Sequence, residues 1–359
     1  MKSEQLVFLL GAGASVEAKI PASNDMVDDV EKFIISKQNW KQYFDLYNYI
    51  KSSIIYSKGI QGQFNYRFNI EDLLIVLEAL EQRDKSIMYP YIGNWNMRLV
   101  EVAGENFENI GGFKSLIKEQ ISEWVKPKEG YDKASYYQNF ISLQNEIGET
   151  LKIFTLNYDL CFERTIERNE GSLNLEMGFS DRKWSYKHFD SIDSETHGTH
   201  FALYKLHGSV NWKRIDESIT IEDDPVRDAE LIFGTPYKLT STDPYFFYST
   251  EFRKSLLSQK AKLIITIGYS FYDDYLNKFI TQAMKEDSSM KLIVATFTPS
   301  DKNESIRKEK VVNVAKNLSI DQNRIIIFHE GAKHFMQNIL SVEVLEKYLP
   351  TADGPFADD

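Results

Sequence analysis

Three polar residues near the ends of apolar runs have side chains suited to acid–base and positioning chemistry. His207 follows the apolar run 202–206, and a histidine can act as a general base near neutral pH. Asn157 follows the run 151–155, and its amide can both donate and accept hydrogen bonds. Asp159, two residues on, adds a carboxylate that could accept hydrogen bonds from hydroxyl groups or stabilise positive charge. These residue types predict a polar site beside the ends of two strands.

Each of these side chains also has a structural interpretation. Asn157 or Asp159 could cap a helix that begins near residue 159, because both residue types are common in that position. A histidine before a glycine, as in His207-Gly208, could be a hydrogen-bonded core or turn residue. The residue types alone leave both interpretations open.

A glycine-rich turn, Gly11-Ala12-Gly13-Ala14-Ser15, follows the first apolar run, 5–10. We expect it to open a helix, whose N-terminal N–H groups could bind a diphosphate, while the glycines permit a tight turn and close approach of a ligand. Ser15 replaces the third position of the usual dinucleotide fingerprint and could add a hydroxyl donor. The turn favours dinucleotide binding, and a plain strand-to-helix turn is the alternative.

The elements that position these residues are short apolar runs, several of them without alternation of polar residues. Such runs are typical of strands buried on both faces of a parallel sheet. With helical patterns between them, they predict a Rossmann-like, doubly wound, mostly parallel α/β sheet. Ligands bind such sheets at the carboxyl ends of the strands. The predicted strands are 5–10, 151–155, 202–206, 230–233, 262–267, 291–295 and 324–328.

A long segment of different character separates the first two strands. Apolar residues at positions 73, 76, 77 and 80 predict an amphipathic helix over 70–82, with Asn69 as its N-cap and Glu71 and Asp72 in its first turn. A similar pattern covers 113–125, and strand signals are scarce. We therefore expect a helical insertion.

The predicted organisation has one catalytic domain interrupted by this insertion. We assign residues 1–22 and 150–349 to the Rossmann-like domain, 23–149 to the insertion and 350–359 to a disordered acidic tail. The polar and aromatic stretch 169–199 is expected to be an irregular loop on the side of the site.

Composition narrows the classes of function. The 359 residues include 53 acidic and 42 basic ones, a net charge of −11, which argues against direct nucleic-acid binding. No run approaches the length of a membrane span, and no signal peptide is recognisable, so we expect a cytoplasmic protein. Cys161 is the only cysteine, which rules out an intrachain disulfide and a cysteine-rich zinc site.

The glycine turn and four later segments, taken together, resemble the sirtuin-like NADase family of bacterial anti-phage defence. The later segments are 155–159, 205–209, 233–236 and 267–271, and the resemblance spans roughly residues 6–277. It implies an NAD+ glycohydrolase that releases nicotinamide and ADP-ribose. It also implies that Asn157 positions the ribose and a water and that His207 is the catalytic base. The NAD-binding residues that it implies are Gly11, Ala12, Gly13, Ser15, Asp159, Gly234, Thr235, Gly268 and Ser270.

Departures from the protein deacetylases favour hydrolysis over deacylation. Those enzymes typically carry a four-cysteine zinc module, and their glycine turn continues into Ile-Pro-Asp-Phe-Arg, whereas this chain has Ile20-Pro21-Ala22-Ser23. We expect NAD as substrate and neither zinc nor another metal. Two histidines in one polar loop, His197 and His200, are too few for a metal site without a third ligand. Alternative functions are a non-catalytic NAD- or ADP-ribose-binding regulatory module, or a protein deacylase or ADP-ribosyltransferase.

The resemblance further implies a regulated effector that depletes NAD after phage infection. We expect a homo-oligomer that is controlled by an activating or inhibiting partner encoded nearby, such as a ring ATPase or an Argonaute-like sensor. Neither direct nucleic-acid binding nor membrane association is expected.

Overall fold

A computed structural model describes most of the chain. The described residues are 1–64, 66–85, 96–104, 106–127, 130–169, 173–191, 198–227, 229–232, 243–298 and 304–350. The expected disordered tail therefore lies almost wholly outside the described residues.

Eleven strands form two sheets within the described residues. The larger sheet has seven parallel strands in the order β11-β10-β9-β1-β2-β6-β3, and the smaller has four antiparallel strands in the order β4-β5-β8-β7. The strands are β1 (Leu6–Leu10), β2 (Leu151–Thr155), β3 (Asn174–Glu176), β4 (Phe179–Ser180), β5 (Lys183–Trp184), β6 (Thr199–Lys205), β7 (Trp212–Ile215), β8 (Ser218–Ile221), β9 (Leu263–Ile267), β10 (Lys291–Ala295) and β11 (Ile325–Phe328). The predicted Rossmann-like, mostly parallel α/β fold is confirmed.

The helices lie between and beside these strands. The α-helices are α1 (Ser23–Ser36), α2 (Gln38–Lys41), α3 (Phe44–Ile60), α4 (Ile70–Glu81), α5 (Met97–Ala103), α6 (Glu108–Trp124), α7 (Asn139–Ile147), α8 (Cys161–Glu167), α9 (Tyr245–Leu256), α10 (Asp274–Glu286), α11 (Glu304–Leu318), α12 (Ala332–Asn338) and α13 (Val342–Leu345). Short 3-10 helices are Ser3–Gln5, Ala12–Ala14, Val16–Ala18, Arg83–Lys85, Tyr131–Gln138, Tyr186–Ser191, Gln322–Arg324 and Glu346–Tyr348. No helix of the described ranges has the length and apolar character needed to cross a membrane.

Alternating residues of β1 face two different apolar layers. Phe8 packs edge-to-face on Phe140 of α7, with ring centroids 5.4 Å apart, in a layer shared with the helices between β1 and β2. Val7 and Leu9 face the opposite layer, which contains α9 and α10. The alternation follows from the two-residue period of a strand. The sheet is therefore buried on both faces, as its apolar runs predict.

The regular elements of the described residues between β1 and β2 are all helices. The predicted helix over 70–82 is α4, and Asn69 caps it by accepting hydrogen bonds from the backbone amides of Glu71 and Asp72, at 2.8 and 3.1 Å. The predicted helical stretch 113–125 coincides with the later part of α6, whose C-cap is Val125. The boundaries of a separate insertion stay a prediction, because its helices share one apolar core with the sheet.

Two local expectations differ from the structure. The stretch 169–199 includes three short strands, one of which, β3, forms the edge of the large sheet. Strands of two or three residues are too short to contain an apolar run, so the sequence does not indicate them. The predicted strand 230–233 is absent over its described part, where Leu231 makes only an isolated antiparallel bridge to Gly208.

Candidate functional site

A cleft lies at the carboxyl edge of the large sheet. The register places Leu10, Thr155, Lys205, Ile267 and Ala295 in one row, so the residues that follow all emerge at the same level. Beyond this row lies a cleft of about 720 Å³, within the usual size range of ligand sites. The chain winds outward in both directions from β1, so the cleft lies at the point where the strand order reverses, which is where open α/β sheets bind ligands.

The glycine turn forms part of the cleft wall, but it does not open an α-helix. Ala12–Ala14 and Val16–Ala18 are two successive 3-10 turns, and Lys19 then adopts a left-handed conformation with φ of 67° before Pro21. The backbone amides of Gly13 and Ala14 already donate to the carbonyls of Gly268 and Gly11, at 3.0 and 2.8 Å. Two of the amides that we expected to be free for a diphosphate are therefore already paired within the protein.

The glycines allow two strand-end loops to pack against each other. A Cβ on Gly13 would lie 2.7 Å from the Cα of Gly268, and a Cβ on Gly268 would collide with the backbone of Ala14. Gly268 also has φ of 65°, a conformation that favours glycine. Close packing between the ends of β1 and β9 thus accounts for these glycines, although Gly11, Ala12, Gly13 and Gly268 all line the cleft as well.

Asn157 is buried at the floor of the cleft and is only 7% exposed. Its side-chain Nδ2 donates to the hydroxyl of Ser15 at 3.2 Å. Within the described part of the chain, its Oδ1 has no hydrogen-bond partner. A buried acceptor without a partner costs about 1–3 kcal/mol, so this oxygen is suited to accept a hydrogen bond from a ligand. Asn157 does not cap the following helix.

Ser15 lies beneath the cleft and is fully buried. Its hydroxyl is 2.9 Å from the hydroxyl of Tyr137, in addition to its contact with Asn157. Burial raises the pKa of Tyr137 well above its ordinary value, so its hydroxyl stays neutral. The structure therefore places Ser15 in a buried chain that fixes the Asn157 amide and does not bring it to the cleft surface, where a diphosphate would lie.

Asp159 lines the cleft and also fixes the helix behind it. Its Oδ1 accepts a hydrogen bond from the backbone amide of Cys161 at 2.9 Å, at the start of α8. Its carbonyl accepts from the fully buried Lys205 at 2.6 Å, and Lys205 also pairs with Glu163 at 2.6 Å. The N-cap of α8 is Leu160, so Asp159 supports the start of the helix from the residue before the cap, and a contact with NAD stays a prediction.

His207 lies at the end of β6 and is held by a second buried residue. Its Nε2 is 3.1 Å from Oδ2 of Asp273, and both side chains are more than nine-tenths buried. Oδ1 of Asp273 accepts hydrogen bonds from the backbone amides of Tyr275 and Leu276, which makes Asp273 the N-cap of α10. The cap therefore fixes the carboxylate that orients the imidazole. The contact of Asp273 with His207 is not apparent from sequence spacing.

The single cysteine is unsuited to act as a nucleophile. Burial and the negative charge of Asp159 raise the pKa of the Cys161 thiol well above its ordinary value, so the thiol stays protonated. Among the described residues, no group of three or more histidine, cysteine, aspartate or glutamate side chains could hold a metal ion. His200 accepts a hydrogen bond from the Asn174 amide at 3.1 Å at the amino-terminal edge of the sheet, and His197 lies outside the described residues.

Helices above the sheet close the cleft from the other side. Asn69, Ile70 and Glu71 at the start of α4 line it, and so do Pro21 and Ser23 near the start of α1. The hydroxyl of Ser23 donates to Oε1 of Glu71 at 3.3 Å. From the sequence, Glu71 is assigned only to a helix. The spacing of residues does not show that the N-terminus of α4 lies beside the strand ends.

Most of the predicted site residues meet in this one cleft. Asn157, Asp159, His207 and the exposed Ser270 line it. Gly234 and Thr235 lie outside the described residues. Asp273 and Glu71 are cleft residues that the sequence analysis did not assign to the site.

Comparisons with known proteins bear on the same region. Residues 151–320 match the family model described as SIR2-like domain. The chain is also similar to a solved structure of Sir2Tm bound to a propionylated peptide, with 12% identity and a TM-score of 0.36, covering 93% of this chain and 91% of that chain. No curated protein matches the chain.

The SIR2-like match contains Asn157, His207 and Asp273 and begins after the glycine turn. It supports a sirtuin-like family and indicates an NAD-binding function of the sirtuin type.

Proposed function

We propose that the chain is an NAD+ glycohydrolase whose reaction takes place in the cleft at the carboxyl edge of the large sheet. The proposal goes beyond the SIR2-like match, which supports NAD use without specifying the reaction. Its main support is the buried Asn157 amide, whose Oδ1 lacks a partner among the described residues and belongs to the same cleft as His207.

In this proposal the reaction exchanges one bond at the anomeric carbon. The C–N bond to nicotinamide breaks with its electron pair moving to the ring, which leaves as a neutral molecule. Water then forms the new C–O bond and loses a proton, giving ADP-ribose. Because the leaving group is good, the protein mainly orients the ribose, stabilises the developing cation and admits one water.

The residues of this chain supply those roles. Asn157 orients a ribose hydroxyl or the water, since its Nδ2 is fixed by Ser15 and its Oδ1 can accept a hydrogen bond. His207 takes up the proton, and the Asp273 carboxylate 3.1 Å away stabilises the resulting imidazolium. The buried Asp159 adds negative charge near the developing cation.

We further propose that the activity is regulated and serves anti-phage defence by depleting NAD. An NADase that is always active would poison its own cell. The expected control is a homo-oligomeric assembly together with a partner protein encoded nearby, a ring ATPase or an Argonaute-like sensor. These proposals rest on the motif resemblance.

The test is incubation of the purified chain with NAD+, with and without the proteins encoded beside its gene, followed by quantification of nicotinamide and ADP-ribose. We expect little release from the chain alone and equal amounts of both products once the partner is active. Rapid release by the chain alone would contradict the regulation. Binding of NAD+ without release under any combination would instead indicate a non-catalytic binding module.

A further inference from the structure

The charges that face the cleft are unbalanced. Glu17, Glu71, Asp159 and Asp273 line it, and none of the lining residues within the described ranges is a lysine or an arginine. Three of these carboxylates also hold backbone in place: Glu17 accepts from the Lys333 amide at 2.6 Å, Asp159 accepts from the Cys161 amide at 2.9 Å, and Asp273 caps α10. The remaining carboxylate, Glu71, belongs to the helical layer above the sheet.

Glu71 is held over the cleft by its surroundings. Asn69 fixes the first turn of α4 through the Glu71 amide at 2.8 Å, and the Ser23 hydroxyl donates to the carboxylate at 3.3 Å. Among the residues that the structure describes, no lysine or arginine forms an ion pair with Glu71. Its carboxylate is therefore positioned by a neutral hydrogen bond at the wall of the cleft.

Glu71 and Tyr158 line the same cleft. Burial raises the pKa of Tyr158 well above its ordinary value, and the negative charges of Glu71 and Asp273 raise it further. The ring of Tyr158 lies 6.4 Å from that of His207, between centroids. Glu71 therefore belongs to the same cleft as Tyr158, His207 and Asp273.

An independent sign of a ligand lies in the same place. Asn157 is 93% buried, given its 7% exposure, and lines the cleft with an Oδ1 that has no partner among the described residues. The acidic residues of the cleft and the Asn157 Oδ1 therefore belong to one candidate binding site.

We infer that Glu71 makes this cleft selective for a dinucleotide with a cationic ring, NAD+, over the neutral reduced form, NADH. The inference rests on the proposed function, because it states how that site selects its substrate. A carboxylate in a partly buried cleft attracts the pyridinium charge of NAD+ and has no such charge to attract in NADH. The same field disfavours ADP-ribose, whose remaining charges are the negative phosphates.

The test is equilibrium binding of NAD+ and of NADH by isothermal titration calorimetry, in a His207→Ala background so that NAD+ is not consumed. Glu71→Gln is added because glutamine removes the charge and keeps an oxygen for the Ser23 hydroxyl. Glu81→Gln is the matched control, since it removes the same charge from the far end of α4, where Glu81 pairs with Lys114.

We expect the parent to bind NAD+ at least about tenfold more tightly than NADH. Glu71→Gln should weaken NAD+ binding about tenfold and change NADH binding less than about twofold, and Glu81→Gln should change neither. Raising the ionic strength from about 0.05 to about 0.5 M should also reduce the parent's preference, which tests the charge without any substitution.

Two results would overturn the inference in distinguishable ways. Equal effects of Glu71→Gln on both dinucleotides, or none, in a parent that binds NAD+ would reject the role of Glu71 and leave the proposed function intact. A parent that binds neither dinucleotide would reject the proposed function and the selectivity together.

Discussion

Asn157 and His207 are each held by a partner far away in the sequence. The Asn157 amide is fixed by Ser15, which in turn contacts Tyr137, and the His207 ring is fixed by Asp273. Rotation of either side chain would break a buried hydrogen bond. Because the groups that would meet the ribose are already oriented, little reorganisation is needed when a substrate binds.

The contact between Asp273 and His207 leads to a prediction about Asp273→Asn. Asparagine is also a good N-cap, so α10 should remain capped and the melting temperature should change little. The negative charge beside the imidazole is lost, so turnover should fall by about 100-fold. The acidic limb of the pH–rate profile should move to lower pH, because the imidazolium loses a stabilising charge while Asp159 and Glu71 are unchanged.

The measurement is kcat/KM between about pH 5 and pH 9 for the parent and for Asp273→Asn, together with thermal melting of both. An unchanged profile would mean that Asp273 serves only as a helix cap. A large loss of melting temperature would mean that the substitution disturbed α10.

At the scale of elements, one buried ion pair ties the site to the sheet. Lys205 at the end of β6 pairs with Glu163 of α8 and donates to the carbonyl of Asp159, each at 2.6 Å. Burial raises the pKa of Glu163, and the Lys205 charge opposes that shift. The pair therefore anchors α8 and the loop that carries Asn157 to the strand that carries His207.

Removal of one partner should be costly, because it leaves the other charge buried. We predict that Lys205→Met lowers the free energy of unfolding by about 3–5 kcal/mol and that adding Glu163→Gln recovers part of this loss. Urea unfolding of both variants and of the parent measures these differences in the free energy of unfolding. A Lys205→Met chain as stable as the parent would show that the pair does not hold these elements together.

At the scale of the whole molecule, the sequence reveals those strands that are buried on both faces. β1, β2, β9, β10 and β11 lie within the predicted runs, because continuous apolar residues mark a strand covered by helices on both sides. β3 and the strands of the small antiparallel sheet are too short to contain a continuous apolar run. Over residues 230–232, the part of this predicted strand that the structure describes, Leu231 makes only an isolated bridge to Gly208.

From the sequence, only residues that directly follow predicted strands could be assigned to the site. Parallel strands end at one edge, so Asn157 and His207 could be assigned to a common cleft from their places after two runs. The Ser15–Tyr137 contact joins residues 122 positions apart, and α4 reaches the cleft only through the packing of its helical layer. Such long-range contacts have no local pattern, which is why Asp273 and Glu71 were assigned from the structure.

The central claim is hydrolysis of NAD+ by Asn157 and His207, and product release by Asn157→Ala and His207→Ala tests it most directly. ADP-ribose and nicotinamide formed from NAD+ are measured for the parent and both variants under the same activating conditions, with thermal melting as the control for folding. We predict equal amounts of the two products from the parent and at least about 100-fold slower release from each folded variant. Near-parental release by both variants would contradict the account.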